Sequence, residues 1–396
     1  MSLAAIKNFD WQQELFAGLL ADRVLLVLVL ALVSLGAVMV ASSSISLAAL
    51  PDPGYSDPWF FARRHLVFLV LGFAACGFVA CTPLALWRNY GWVMLLAALV
   101  VLVLVLIPGI GTEVKGSKRW IRVGPINLQA SELAKFCAII FFASYLSKWH
   151  KEIKANSWAI LKPLGILLVL AAFILMEPDL GSTVVLMTTV LAMMFIAGIK
   201  LWQCFLLMGM AAGAFVALIL PVDYRMARLR AFLDPWQDQY GSGYQLVQSL
   251  IGFGRGEWFG LGLGNSIQKL HFLPEAHTDF IFSVIAEEFG FLGAVVVIGL
   301  FGALIVKAFM LAKEAIRQDN DFACFAAYGV AVLLACQVFI NVGVATGLLP
   351  TKGLTLPFVS YGGSSLIISM MMMGLLIRVQ KELQITPRPL SEAANP

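Results

Sequence analysis

The feature that most restricts this chain is a series of apolar runs, each close to the ~20 residues a helix needs to cross a bilayer. They cover roughly 24–46, 65–82, 90–107, 130–148, 158–175, 181–198, 202–220, 279–311, 322–346 and 355–378. In hydrocarbon every backbone N–H and C=O must be paired within the protein, so runs of this length predict membrane-spanning α-helices. At 60% hydrophobic and 13% charged residues, the chain is too apolar for a soluble globule. The expectation is an all-α polytopic membrane protein with about ten transmembrane helices over 24–380. A short tail, 1–23, precedes the helices and another, 381–396, follows them. A large ordered outer loop, 221–278, joins helices 7 and 8.

An even number of spans puts both termini on one side. The lysines and arginines divide almost evenly between the two sides, but the rule that positive loops stay inside counts short loops. Most cations assigned outside fall in the longer loops 108–129 and 221–278, which favours cytoplasmic termini. Met1–Asp22 carries no cleavable-signal pattern, and the first apolar run begins at Val24 as a signal anchor would. The net charge of +4 argues against a nucleic-acid partner. Six cysteines lie in or beside apolar segments without metal-ligand spacing and read as packing residues, neither disulfides nor ligands. No internal repeat stands out, so an inverted-repeat transporter gains no support.

The outward cations need an account. Loop 108–129 carries Lys115, Lys118, Arg119 and Arg122, and loop 221–278 carries Arg225, Arg228, Arg230, Arg255 and Lys269. They read either as solvated or headgroup-facing charge or as a collar for an anionic substrate, with arginine suited to pyrophosphate. Loop 221–278 also holds the glycine-rich strings GSGYQ (241–245) and GRGEWFGLGLGNS (254–266) among apolar and aromatic residues. This predicts short helices on the outer membrane surface. No predicted strand precedes the glycines, so a dinucleotide site is rejected.

Ionisable residues near the apolar runs mark candidate chemistry. In KLHFLPEAHTDFIFSVIAEEFG (269–290), Thr278 is expected to cap a helix starting at Asp279. The helix N-terminus favours the carboxylate and desolvation favours the acid, so Asp279 is either a poised general base or an ordinary first-turn acid. Glu132 and Lys135 in ASELAK share a helix face, as a self-contained ion pair or as site residues. Glu177 and Asp179 flank Pro178 in EPDLGS, where Asp179 suits a cap for the next helix, with substrate contact as the second reading. Glu287 and Glu288 are rotated away from Asp279 and make no paired-carboxylate site with it. In NVGVATGLLPTKGLTLPFVSYGGSSLI (341–367), glycines, prolines and Lys352 interrupt the apolar pattern, as in a re-entrant turn lining a cavity.

Taken together, GSKRWI (116–121), ASELAK (130–135), EPDLGS (177–182), GYQ (243–245), LPEAHTDFIF (273–282) and NVGVATGLLPTKGLTLPFVSYGGSS (341–365) resemble the SEDS family of shape, elongation, division and sporulation proteins. The match runs from about residue 24 to 380 and is closer to the family's division branch than to its elongation branch. Glu177 departs from the commoner glutamine, Ala130 from a frequent proline and His65 from a frequent glutamine. The resemblance implies a ten-helix fold and a peptidoglycan glycosyltransferase. Such an enzyme polymerises lipid II, the undecaprenyl-pyrophosphate-linked disaccharide peptide, at the outer face of the cytoplasmic membrane. It also implies a class B penicillin-binding protein as transpeptidase partner, other divisome membrane proteins, and a place at the division septum. By motif position Asp279 corresponds to the essential aspartate, Glu132 and Lys135 to a conserved pair, and Arg64 to an arginine at the start of the second span. In that chemistry Asp279 takes the proton of the attacking hydroxyl. Arg64, Lys118, Arg119, Arg122, Lys135, Arg255 and Lys352 are candidates to meet the pyrophosphate, with Glu132 as Lys135's companion. No protein metal cage is apparent. Mg²⁺ or another divalent cation could still bridge the pyrophosphate through carboxylates and phosphates. The rival readings are a lipid II flippase and a non-catalytic divisome scaffold.

Overall fold

The computed structural model describes residues 23–48, 57–114, 117–124, 126–219, 223–351 and 353–385. In chain order the helices are α1 (Arg23–Ala48), α2 (Phe60–Cys81), α3 (Leu84–Asn89), α4 (Gly91–Leu106), α5 (Ala130–Ala155), α6 (Leu161–Met176) and α7 (Leu180–Ile196). After them come α8 (Leu201–Ile219), α9 (Asp223–Leu233), α10 (Tyr244–Gly256), α11 (Ile281–Arg317), α12 (Asp321–Ala345) and α13 (Gly363–Ile385). Seven of these, α1, α2, α5, α6 with the turn before it, α11, α12 and α13, are long and apolar enough to cross a membrane, and α4 and α7 are shorter apolar helices. The chain is a multi-pass membrane protein. Helices α5, α12 and α13 are buried over most of their length and form the centre, while α1, α6 and most of α11 turn apolar faces outward.

Three features depart from expectation. Segment 108–129, read as a loop, folds as an antiparallel meander of β1 (Gly111–Val114), β2 (Ser117–Val123) and β3 (Ile126–Gln129), in the order β1-β2-β3. Trp120 faces Gln129 and Arg122 faces Asn127 across the β2–β3 ladder, and β3 runs straight into α5 at Ala130. The last spanning helix begins at Gly363, not near 355. Pro357 cannot donate to a helical ladder, and the backbone of 353–362 is held by side chains instead, as described below. Finally, α11 starts at Ile281, so Asp279 precedes the helix and Thr278 does not cap it. Phe280 occupies the N-cap position without a side-chain bond. The Thr278 hydroxyl donates instead to Glu275 O (3.2 Å) and Glu275 Oε2 (2.8 Å). The amides of Thr278 and Phe280 both donate to the Glu275 carbonyl, which winds the chain into a tight turn in place of a first helical turn.

Within 221–278 the described residues form α9 and α10. Segment 257–262 repairs a break in α11. Gly290 adopts φ 68°, ψ −168° inside that helix, a conformation open essentially to glycine alone. The backbone groups at the break are taken up across the gap: Leu261 and Gly262 N–H donate to Glu287 O and Glu288 O (3.0 Å each), while Phe291 and Leu292 N–H donate to Glu257 O (2.8 Å) and Trp258 O (3.2 Å). These interrupted groups thus find partners, which is what apolar surroundings demand. All six cysteines are free thiols.

Candidate active site

Two short stretches are stitched into one turn system at the end of the bundle that carries the sheet. Asn341, on the last turns of α12, donates from Nδ2 to Leu354 O (2.6 Å) and to Asp279 O (2.9 Å). Ser360 Oγ donates to Thr278 O (2.6 Å) and accepts from Leu356 N–H (2.8 Å). Tyr361 N–H donates to His277 O (2.9 Å). The backbone on either side of Asp279 is therefore fixed by residues far away in sequence. Its carboxylate lies over Gly353, where a Cβ would come within 2.6 Å of Oδ2; only glycine leaves that space. Asp279 itself is half-buried.

Aromatic rings and a guanidinium flank this turn. Phe61, His277 and Tyr361 form a triangle with ring centroids 5.0, 5.3 and 5.6 Å apart. On the same helix, α2, the Arg64 guanidinium lies 5.4 Å from the Phe60 ring and 6.0 Å from the Phe68 ring. Stacking of this kind orients a cation.

A second polar cluster sits behind Leu354, whose side chain packs on Gly181 at the start of α7. Asp179 caps α7 by accepting from Ser182 N–H (3.1 Å), as the sequence suggested, and also accepts from Ser131 Oγ (3.1 Å) and Gln129 Nε2 (3.3 Å). Gln129 N–H donates to Ser364 Oγ (3.2 Å), which ties the sheet to α13. Lys135 and Glu132, both buried in α5, pair at 2.6 Å. Arg119 donates to the carbonyls of Glu177 (3.0 Å) and Pro178 (2.7 Å), so a cation faces the carboxyls on both sides of Pro178. The two acids respond in opposite ways. Burial alone would push Asp179 up, but Arg119, the Ser182 N–H and Lys135 outweigh it and hold the carboxyl below its ordinary value. Burial and the Asp179 charge push Glu177 up to about 8, with Arg119 opposing. Neither Glu177 carboxyl oxygen has a hydrogen-bond partner among the described residues.

The structure thus gathers Asp279, Arg64, Arg119, Glu132 and Lys135 around the 353–364 segment and its neighbours. Lys118 and Arg122 lie on the exposed face of β2, and Arg119 on the opposite face. Arg255 is elsewhere: its Nε is 3.4 Å from Glu287 Oε1, in the second turn of α11. Lys352 lies outside the described residues, as do Lys115 and residues 1–22 and 386–396; the expected C-terminal tail begins instead inside α13, which runs to Ile385. The positioning groups Asn341, Ser360, Gln129, Ser131 and Ser364 were not singled out from sequence. Their signal was the same in each case, a small polar side chain at the edge of an apolar run beside broken backbone.

This geometry can be set against known proteins. A family model described as a cell cycle protein, joining FtsW, RodA and SpoVE, matches residues 22–385. The chain belongs to this family. A protein of Saccharophagus degradans named probable peptidoglycan glycosyltransferase FtsW is 51% identical over 354 residues, covering 89% of this chain and 90% of that protein. A protein of the same name from Pseudomonas fluorescens is 48% identical, covering 89% and 86%. Among solved structures, a chain from work on the structural coordination of polymerization and crosslinking by a peptidoglycan synthase complex superposes with TM-score 0.73 at 31% identity, over 91% of this chain and 98% of that one. Thermus thermophilus rod shape determining protein RodA gives TM-score 0.66 at 27% identity, over 91% and 97%.

Proposed function

We propose that this chain is a peptidoglycan glycosyltransferase of the division type, which polymerises lipid II at the outer face of the cytoplasmic membrane. It does so through ten spans with both termini inside, at the septum, beside a class B penicillin-binding protein and other divisome membrane proteins. The observation that carries this reading is the Asp279 turn, a half-buried aspartate on backbone fixed by Asn341, Ser360 and Tyr361. The names of the relatives and of the structural neighbour support it.

In this chemistry a sugar hydroxyl of one lipid II attacks the anomeric carbon of the growing chain, and polyprenyl pyrophosphate leaves. The Asp279 carboxylate accepts the hydroxyl proton as the new bond forms. Charge grows on the leaving phosphate oxygens, where fixed cations stabilise it without reorganising. Arg64, oriented by two rings, and Arg119, anchored on two carbonyls, suit that role, and the exposed Lys118 and Arg122 supply further positive charge; Lys352, outside the described residues, stays a candidate on its sequence position alone. Lys135, with Glu132, acts from beneath the site through Asp179. Arg255 acts through the loop it braces. A single displacement inverts the anomeric carbon, so an α-linked lipid donor yields a β-linked glycan. Among the described residues no three His, Cys, Asp or Glu converge as a metal cage; a Mg²⁺ bridging the donor phosphates would take its ligands mainly from those phosphates and water.

The test is lipid II polymerisation by the purified chain in liposomes, with a crosslink-blocked penicillin-binding partner. Long glycan from wild type and none from a folded, partner-binding Asp279→Asn variant is the expected result. Equal product from both removes Asp279 from the chemistry. Movement of lipid II across the bilayer without glycan replaces the enzyme by a flippase.

A further inference from the structure

One buried acid takes no part in the chemistry proposed above. Glu177 sits between α6 and α7 and is fully buried, yet neither of its carboxyl oxygens has a hydrogen-bond partner among the described residues. Asp179, two residues on, is the opposite case, with Ser182 N–H, Ser131 Oγ and Gln129 Nε2 all donating to it. A carboxylate with three donors keeps its charge. A second carboxylate beside it, buried and without donors, meets both desolvation and repulsion, so Glu177 rests as the neutral acid.

The same turn is held by Arg119. Its Nε donates to the Glu177 carbonyl (3.0 Å) and its Nη2 to the Pro178 carbonyl (2.7 Å), which ties β2 to the connection between α6 and α7. These bonds use two of the five guanidinium N–H groups and leave the rest for an anion. Two anions compete for them: a pyrophosphate arriving from outside the bundle, and Glu177 once it has lost its proton. The charged groups facing Glu177 are Asp179 on its own turn and Arg119 from β2. Lys135, paired with Glu132 on α5, acts on it only through Asp179. Leu354, Gln129 and Ser131, which also pack around this turn, carry no charge.

We propose that Glu177 is a positioning residue that sets the reach of Arg119. As the neutral acid it leaves the guanidinium to the donor's pyrophosphate, and as the carboxylate it draws the guanidinium inward and weakens the hold on that group. The assignment rests on the glycosyltransferase reading, in which Arg119 meets the pyrophosphate, and it deepens that reading by giving polymerisation an alkaline limit set by one side chain. Burial and the Asp179 charge place the loss of the Glu177 proton at about pH 8, with Arg119 opposing.

The experiment uses the full chain in lipid nanodiscs with its crosslink-blocked penicillin-binding partner and lipid II as substrate. For wild type, kcat/KM should be about tenfold lower at pH 9 than at pH 7, because only about one Glu177 in ten keeps its proton one unit above the midpoint. The loss should fall mainly on KM, the pattern of weakened ground-state binding. Glu177→Gln does not ionise and should hold its neutral-pH value across this range. Glu177→Met, uncharged and of similar length, should match it, and thermal unfolding shows which of the two is folded. In an Arg119→Gln background, slower throughout, adding Glu177→Gln should change nothing. Binding of undecaprenyl diphosphate, measured without turnover, should weaken by the same factor between pH 7 and pH 9 in wild type and stay constant in Glu177→Gln. An alkaline fall that persists in the folded Glu177 variants, or one that Glu177→Gln removes equally well without Arg119, overturns the assignment. If wild type makes no glycan at any pH while the binding still falls in a Glu177-dependent way, the polymerase reading fails and the role of Glu177 stands.

Discussion

Two acidic regions flank the start of α11, and they are built in opposite ways. At the Asp279 turn the backbone is fixed by hydrogen bonds from α12 and from the 353–361 segment, while Asp279 itself is half-buried, not enclosed. In the second turn of α11 the carboxylates themselves are enclosed. Glu288 accepts from Lys269 Nζ (2.7 Å) and Ser42 Oγ (2.9 Å), which joins α1, the outer loop and α11. Glu287 accepts from Ser266 Oγ (2.5 Å) and Ile267 N–H (3.1 Å), with Arg255 alongside. Both glutamates are fully buried. A carboxylate saturated with donors in the interior is a clamp, and one that is accessible on a fixed backbone can move a proton. The difference shows why the acidic residues of one helix segment are not interchangeable candidates for catalysis.

The comparison is tested most severely by removing charge in each region. Asp279→Asn keeps the size and removes the base, so polymerisation should fall by about 10²–10⁴ while thermal unfolding stays near wild type. Glu288→Leu should do the reverse. It takes the Glu288 carboxylate away from a buried Lys269 that keeps Ser42 Oγ, at a cost of about 3–5 kcal/mol in unfolding free energy. Glu288→Met with Lys269→Met should restore most of that stability, because an apolar pair replaces a buried ion pair at little loss. If Glu288→Leu lost activity as completely as Asp279→Asn at unchanged stability, the distinction between clamp and base would break.

Glu177 sharpens the same contrast with pH. Its folded value, about 8, lies above its ordinary 4.5, so the folded state holds a proton that the unfolded chain releases. Stability from this group is complete below pH 4.5, falls as pH rises from there to about 8, and stays low above it. Glu177→Gln mimics the protonated form at all pH. Its melting temperature should match wild type near pH 4.5 and exceed it by a growing margin up to pH 8. A constant gap across that range would show that Glu177 is ionised in the fold.

The helices were legible because a bilayer leaves an apolar run of this length one structure: every run overlaps an observed helix, though α5 and α11 extend seven and six residues past runs 130–148 and 279–311, and the last run starts eight residues early. The last failed where long-range bonds override local pattern, since Asn341 bonds Leu354 O and Ser360 bonds Thr278 O, which hold 353–362 out of the helix. The sheet was missed because β2, SKRWIRV, sets three cations among Trp120, Ile121 and Val123 without a clean polar/apolar alternation, which reads as a solvated loop until Gly124 is seen as a turn between Arg122 and Asn127. At the site, the pairing of Glu132 with Lys135 and the capping by Asp179 were readable, being local in sequence. Lys269 and Arg255 were read only as loop cations. Their partners, Glu288 and Glu287, belong to the next helix, and Ser42 lies 227 residues from Lys269, beyond any local pattern.

The clamp also depends on backbone, and two glycines should respond with opposite sign. Gly290 sits at φ 68°, and a Cβ there would come within 2.6 Å of Phe259 N, in the segment that repairs the α11 break. Gly290→Ala therefore combines a strained conformation with displacement of 257–262, and should lower unfolding stability by about 1–3 kcal/mol. It should also raise proteolysis of the loop. Gly254 lies inside α10, and among the described residues no atom comes within 4 Å of where an added methyl group would sit. Gly254→Ala should stabilise by up to about 1 kcal/mol through helix propensity alone. If both alanines acted in the same direction, the break at Gly290 would not be the point at which the loop is fastened to the helix.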